Sequence, residues 1–176
     1  MHGQNGGSAD ELVEEVDRAG DVVRVVTRAQ MRAQRLRHRS VFTGVLNDDD
    51  QLLVHRRALT KDVWPGAWDV CVGGVAGVGE NWQTAAEREL AEELGIVGCE
   101  VGPLGLGAYE DAEVKLVASC FVVRCNGPFT FADGEITEAH WVHTAELLHW
   151  LKGKEFLPDS LALLLPRLDN FRSVIA

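Results

Sequence analysis

The sequence predicts an α/β fold, a mixed sheet with helices on its faces, and three observations carry that expectation. Short runs rich in β-branched and aromatic residues recur along the chain between turn residues. Two segments show helical spacing, Ala86, Leu90 and Leu94 in one and Leu161, Leu164, Leu165 and Leu168 in the other, and each needs an apolar surface to cover. Strands and helices also interleave, which makes an α/β/α sandwich. The 176 residues, 46% of them hydrophobic, are enough for one domain with a full core.

Residues 1–10 read as a flexible leader and 11–176 as a single domain, with 11–40 an N-terminal arm. Two extended runs, Leu12–Val16 and Asp21–Val26, flank a turn at 17–20. Thr27 and Gln30 then form a capping box. Arg28, Arg32, Arg35 and Arg39 follow at helical spacing as one basic stripe. It is either a solvated face or a docking strip for an anionic ligand or a second subunit. Val41–Leu46 and Gln51–Arg56 make a hairpin around Asn47–Asp50. Arg56, Arg57 and Lys61 lie beside Trp64-Pro65-Gly66-Ala67-Trp68, where the cations suit phosphate groups. The two tryptophans suit either a flat group or the core.

Trp68–Val75 is expected as one buried strand running into a glycine pair, Gly73-Gly74. Further strands are expected at Gly105–Glu110, Val114–Arg124, Phe129–Phe131 and Glu138–His143. Thr144 is expected to cap a helix reaching Leu151, and Pro158-Asp159-Ser160 to open the last one.

Residues 74–96 carry the chemistry. Glu89, Glu92 and Glu93 stand at i, i+3 and i+4, within about 100° of arc on one helix. Three carboxylates so close repel one another unless cations lie between them. Hard oxygen ligands favour Mg²⁺ or Mn²⁺. Ala86, Leu90 and Leu94 occupy the adjacent face and can bury it. Gly95 supplies the left-handed residue that ends the helix.

The formal net charge of −10 argues against a nucleic acid as partner. No apolar run approaches the length of a membrane span, and no secretory signal is apparent. Cys71, Cys99, Cys120 and Cys125 contain no CxxC pair. They are expected as reduced thiols in a cytoplasmic protein.

From Gly74 onward the chain reads G-x5-E-x7-R-E-L-A-E-E-L-G-I, with Glu80 and Arg88 at the intermediate positions. This resembles the Nudix box at every defined position. The segments at 25–39, 55–69 and 156–160 are similar to a bacterial Nudix subgroup close to type I isopentenyl diphosphate isomerase. The resemblance implies the Nudix fold and divalent-metal-dependent cleavage of a diphosphate linked to another moiety. It implies Glu89, Glu92 and Glu93 as metal ligands, with the Gly74 carbonyl beside them. Arg88 would pair with Glu80 to hold the box loop. A glutamate after the box would help deprotonate water, and Glu135 is the candidate, with Glu110 and Asp111 as runners-up.

Two alternatives accompany that reading. Isomerisation would need a cysteine where this chain has Gly73, and Cys71 lies two residues earlier. A nucleotide-sensing module without catalysis would commonly have lost a box glutamate, and none is lost here. The expected partners are a small diphosphate substrate and a second copy of the chain, as a homodimer.

Overall fold

The computed structural model describes residues 8–175. Residues 1–7 of the expected leader lie outside the described residues. Ser8 and Ala9 accept backbone hydrogen bonds from Glu11 and Ala29.

The strands are β1 (Leu12–Val16), β2 (Val22–Thr27), β3 (Arg37–Leu46), β4 (Gln51–Arg57), β5 (Trp68–Asp69), β6 (Val72–Val75), β7 (Val101–Glu110), β8 (Lys115–Arg124) and β9 (Ile136–His143). The helices are α1 (Arg28–Ala33), α2 (Trp82–Leu94), α3 (Thr144–Leu151), α4 (Pro158–Leu163) and α5 (Leu165–Ile175). The nine strands of the described residues join one mixed sheet organised on β3. That strand runs parallel to β8 along its full length and antiparallel to β6 on its other side.

Alternation along β3 and β8 divides the core in two. Phe42, Leu46, Leu116, Ala118, Cys120 and Val122 face one side, where Leu163, Leu164 and Leu168 of the C-terminal segment cover them. Val41, Val45, Phe121 and Val123 face the other, under Ala86, Leu90 and Leu94 of α2. One sheet with a helical layer on each face is the expected α/β architecture, produced by the period-2 alternation of buried strands.

Several elements differ locally from expectation. The run 68–75 is two strands, because the Asp69 carboxylate accepts the N–H groups of Val70 and Cys71 and bends the chain between them. β5 then pairs with β4, and β6 with β3. Residues 129–131 form no strand, since Thr130 N–H bonds the Leu94 carbonyl at the end of α2. Thr144 is the first residue of α3 rather than its cap; His143 occupies the cap position without a side-chain hydrogen bond. The last helix is split into α4 and α5 around Leu164.

The basic stripe is also broken. Thr27 and Gln30 make the capping box, but α1 stops at Ala33 and Arg35 takes a left-handed conformation, φ 50°. Arg39 therefore belongs to β3 and not to a helix face. Arg28 and Arg32 both bond Asp62, Arg35 lies 3.8 Å from Glu110, and Arg39 bonds Glu14 at 2.9 Å. Arg39 also stacks over Trp82, 4.1 Å from the ring centre. The arm itself folds onto its own sheet, with β1 against β3 and with Val13, Val26, Met31 and Val75 in a small separate core.

Candidate active site

The site is built where β6 meets α2. Asn81 caps α2 by accepting from Thr84 N–H at 2.8 Å, and Gly95 closes it at φ 70°. A cap of this kind is worth about 1 kcal/mol, so both ends of the helix are fixed by side-chain choice. With Leu90 and Leu94 buried against the sheet, the helical repeat turns Glu89 and Glu93 inward and leaves Glu92 at the rim. Glu89 and Glu93 are buried.

Gly73 and Gly74 bring the β6 backbone against this face. A Cβ on Gly73 would lie 1.8 Å from the Val41 carbonyl oxygen, so β6 can press onto β3 only without a side chain there. A Cβ on Gly74 would lie 2.6 Å from Glu89 Oε1.

Arg88 ties the box together. Its Nε and Nη2 donate to the two carboxylate oxygens of Glu80 at 2.9 and 3.0 Å. Nη2 also donates to the Val75 carbonyl at 3.3 Å, and Nη1 to Glu89 and Glu92 at 2.7 and 3.2 Å. Glu80 in turn accepts Gly77 N–H at 2.8 Å. The loop between β6 and α2 is thus closed by one bidentate ion pair.

On the opposite wall, Lys61 Nζ donates to Glu135. Glu135 N–H bonds Asp133 Oδ1 at 2.9 Å, which fixes that turn. The two walls enclose a cleft of about 540 Å³. Acidic side chains dominate it: Glu11, Glu80, Glu89, Glu92, Asp133 and Glu135, against the cations Arg28, Lys61 and Arg88.

Electrostatics mark the inner carboxylates. Burial above all, then the charges of Glu89, Glu135 and Asp133, pushes Glu93 well above the ordinary carboxylate range, while Lys61 pulls the other way. Burial likewise raises Glu89, against the pull of Arg88 and Lys61. Two buried carboxylates on one helix, with Glu89 set against a backbone that a Cβ would obstruct, are hard oxygen donors of the kind that suits a divalent cation.

The structure does not bring every candidate to this cleft. Arg57 and Trp64 line a smaller cavity behind it. Arg56 is exposed, and its Nε donates to the Gly66 carbonyl at 3.1 Å. Trp68 packs against Trp150 at 4.9 Å, beside His140 and Phe156, in the core layer on the face of the sheet away from α2. Glu110 is held by Arg37 and Lys115 at the end of β7, and Asp111 accepts from Tyr109 at 2.9 Å; neither lines the cleft. Sequence reasoning missed Asp133 and Glu11, which lie in segments without any motif. Arg28 stood out only as part of a stripe.

The NUDIX domain family matches residues 36–162. The chain is 38% identical over 161 residues to an uncharacterized Nudix hydrolase of Yersinia pestis, covering 92% of this chain and 87% of that protein. The crystal structure of DR0079 from Deinococcus radiodurans superposes with a TM-score of 0.74 at 26% identity, covering 85% of this chain and 94% of the other. The NUDIX domain of Shewanella oneidensis NrtR, solved with ADP ribose, has a TM-score of 0.62 at 18% identity, covering 86% and all of that chain, a likeness of fold. The chain belongs to the Nudix hydrolase family and is a pyrophosphohydrolase of the Nudix type.

Proposed function

We propose that this hydrolase depends on Mg²⁺ or Mn²⁺ and cleaves the diphosphate linkage of a nucleoside diphosphate joined to another moiety, or of a related small organic diphosphate. The observation that carries the reading is the pair of buried carboxylates on α2, Glu89 and Glu93, the first of them set against the Gly74 backbone beside the cleft. Glu89, Glu92 and Glu93, with the Gly74 carbonyl, would hold the metal. When bound, it neutralises the diphosphate and acidifies a water.

The chain's own groups do the rest. Lys61 and Arg28 meet the substrate's phosphate oxygens from the wall opposite α2. Arg88 keeps Glu80 and the box loop in place and leaves the carboxylates aligned. Glu135 takes a proton as the water oxygen attacks phosphorus and the bridging P–O bond breaks, leaving two phosphate-bearing products. For that step Glu135 must give up its hydrogen bond to Lys61, which is free to turn to the substrate.

Isomerisation is disfavoured by two observations. Gly73 has no room for a side chain, and the Cys71 thiol is buried, donates to Asp69 at 3.5 Å and is raised well above its ordinary range. Retention of the whole carboxylate set argues against a sensing module.

Four cysteines without a disulfide among the described residues accord with a reducing cytoplasm, and the exposed edge of β2 with a homodimer. Phosphate release from nucleoside di- and triphosphates, dinucleotides, nucleotide sugars and small organic diphosphates, with and without Mg²⁺, tests the reading. Release from at least one class, abolished by chelator, is the expected result. Metal-independent release, or none from any class, would overturn it.

A further inference from the structure

Behind the cleft lies a second cavity of about 70 Å³. It shares Lys61 and the Gly73–Val75 backbone with the cleft, so one molecule can reach into both. His38 and Ser40 of β3, Arg57 of β4, Asp69 and Asp159 contribute its buried polar lining, and Arg28, Arg32, Lys61 and Asp62 line it as well. Phe42, Trp64, Leu116 and Leu157 supply apolar wall. Burial of so many polar groups is costly unless their hydrogen bonds are met.

They are met only in part. His38 Nδ1 pairs with the Leu36 carbonyl at 3.1 Å. A carbonyl can only accept, so that nitrogen carries the proton and Nε2 is an acceptor. Asp69 Oδ1 is occupied by Val70 and Cys71, and Asp159 Oδ1 by Ser160 N–H at 2.8 Å. Their second oxygens accept no hydrogen bond from the described residues, Arg57 Nη1 standing 4.0 Å from Asp69 Oδ2. Arg57 Nη2 donates to Val63 O at 3.1 Å, while its Nε is buried with no partner among the described residues. His38 Nε2 and Asp69 Oδ2 are therefore left over as acceptors, Arg57 Nε as a donor, and the Ser40 hydroxyl and the Asp159 carboxyl as groups that can do either.

The wall is held under strain. Trp64 has φ 46°, a left-handed conformation that a bulky side chain rarely adopts. The same loop carries Lys61 to the cleft and Trp64 to the inner cavity. Size limits the occupant: at about 30 Å³ per water, the space takes roughly two non-hydrogen atoms, a last carbon with its hydroxyl or amine. The rest of a short chain stays at the junction with the cleft, and a nucleobase is excluded.

We propose that this inner cavity is a specificity subsite, receiving a two- or three-carbon end that bears a hydroxyl or amine from the organic group joined to the diphosphate. The donor faces His38, Asp69 and Asp159, and the carbons lie against Phe42 and Trp64. The diphosphate itself stays in the cleft, so the inference rests on the hydrolase reading above.

Uncleavable methylene-bridged diphosphonate monoesters with 2-hydroxyethyl, 2-aminoethyl or propyl ends, titrated by calorimetry with Mg²⁺ present, test it. A donor-bearing end should bind at least about tenfold more tightly than propyl, because propyl leaves the acceptors unpaired. The hydroxyl and amine arms show which donor is preferred. Cys71→Leu and Ser40→Val, each checked for folding by circular dichroism, fill the cavity and should bring the three ligands within about threefold. Equal affinities for the wild type overturn the subsite, as does a preference unchanged in a folded filling variant. The cleavable diphosphate counterparts are assayed separately. Failure of every one to be hydrolysed would count against the hydrolase reading and leave the binding preference standing.

Discussion

Gly74 and Glu89 are fitted to one another: a methyl group at Gly74 would stand 2.6 Å from Oε1 and 2.9 Å from Oε2 of Glu89. The obstruction falls on the tip of a side chain and not on backbone, so the fold can absorb it while the carboxylate moves. Gly74→Ala should therefore keep its circular dichroism and melting temperature within a few degrees. Turnover should fall about a hundredfold or more, with half-saturation by Mg²⁺ shifted upward. Unchanged metal dependence would mean that the contact does not belong to the metal site.

Glu93→Gln preserves shape and removes one buried charge. Because Glu93 is buried beside Glu89, Glu135 and Asp133, the metal-free protein should be at least as stable as the wild type. Turnover on the best substrate should drop by about three orders of magnitude. Steady-state rates and thermal melts in chelator check the two halves. Near wild-type turnover would sink the assignment of Glu93.

What the sequence reveals of this site depends on how far apart its parts lie in the chain. Glu89, Glu92 and Glu93 share one helix, so spacing alone groups them, and Gly95 marks its end; the Asn81 cap emerges only from the structure. The pairing of Arg88 with Glu80 spans eight positions and also follows from the motif. Lys61 and Glu135 sit in separate loops, and only the antiparallel pairing of β4 with β9 brings them together. Asp133 joins them for the same reason, with no periodicity to announce it. The inner cavity is less legible still, because α1, β3, β4, the Trp64 loop, β6, β8 and α4 all contribute to it. The arginine stripe shows the opposite failure. Regular spacing suggested a helix face, but Arg35 turns left-handed and the stripe dissolves into separate ion pairs.

Asp159 makes stability depend on pH. Burial, then the neighbouring charge of Asp69, pushes its carboxyl up to about 7 from the ordinary 3.8. The folded state therefore holds a proton between these values that the unfolded state has released, so stability falls as pH rises through that window. The loss has an upper bound of about 4 kcal/mol once pH passes 7. Asp159→Asn keeps the shape without the charge. Its melting temperature should exceed that of the wild type by several degrees at pH 8, and the difference should shrink toward pH 4. A difference independent of pH would show that the carboxyl does not titrate in this range.

The edge of the sheet leads to a prediction about assembly. Among the described residues β2 pairs only with β1, and Val22, Val23 and Val25 on it are 54, 60 and 47% exposed. Leu12, on β1, is 56% exposed beside them. An apolar strand edge with free N–H and C=O groups favours pairing with another strand, and two copies joined by a twofold axis satisfy both edges at once. Arg28, Arg32 and Arg39 of the arm pair with Asp62 and Glu14 of the same chain, so the apolar edge is the contact expected here. Sedimentation at low micromolar concentration should show a dimer. Val23→Lys with Val25→Lys should convert it to a folded monomer, because charges on an edge strand oppose pairing. A wild type that stays monomeric at every concentration overturns the dimer. A double variant that stays dimeric moves the interface elsewhere on the molecule.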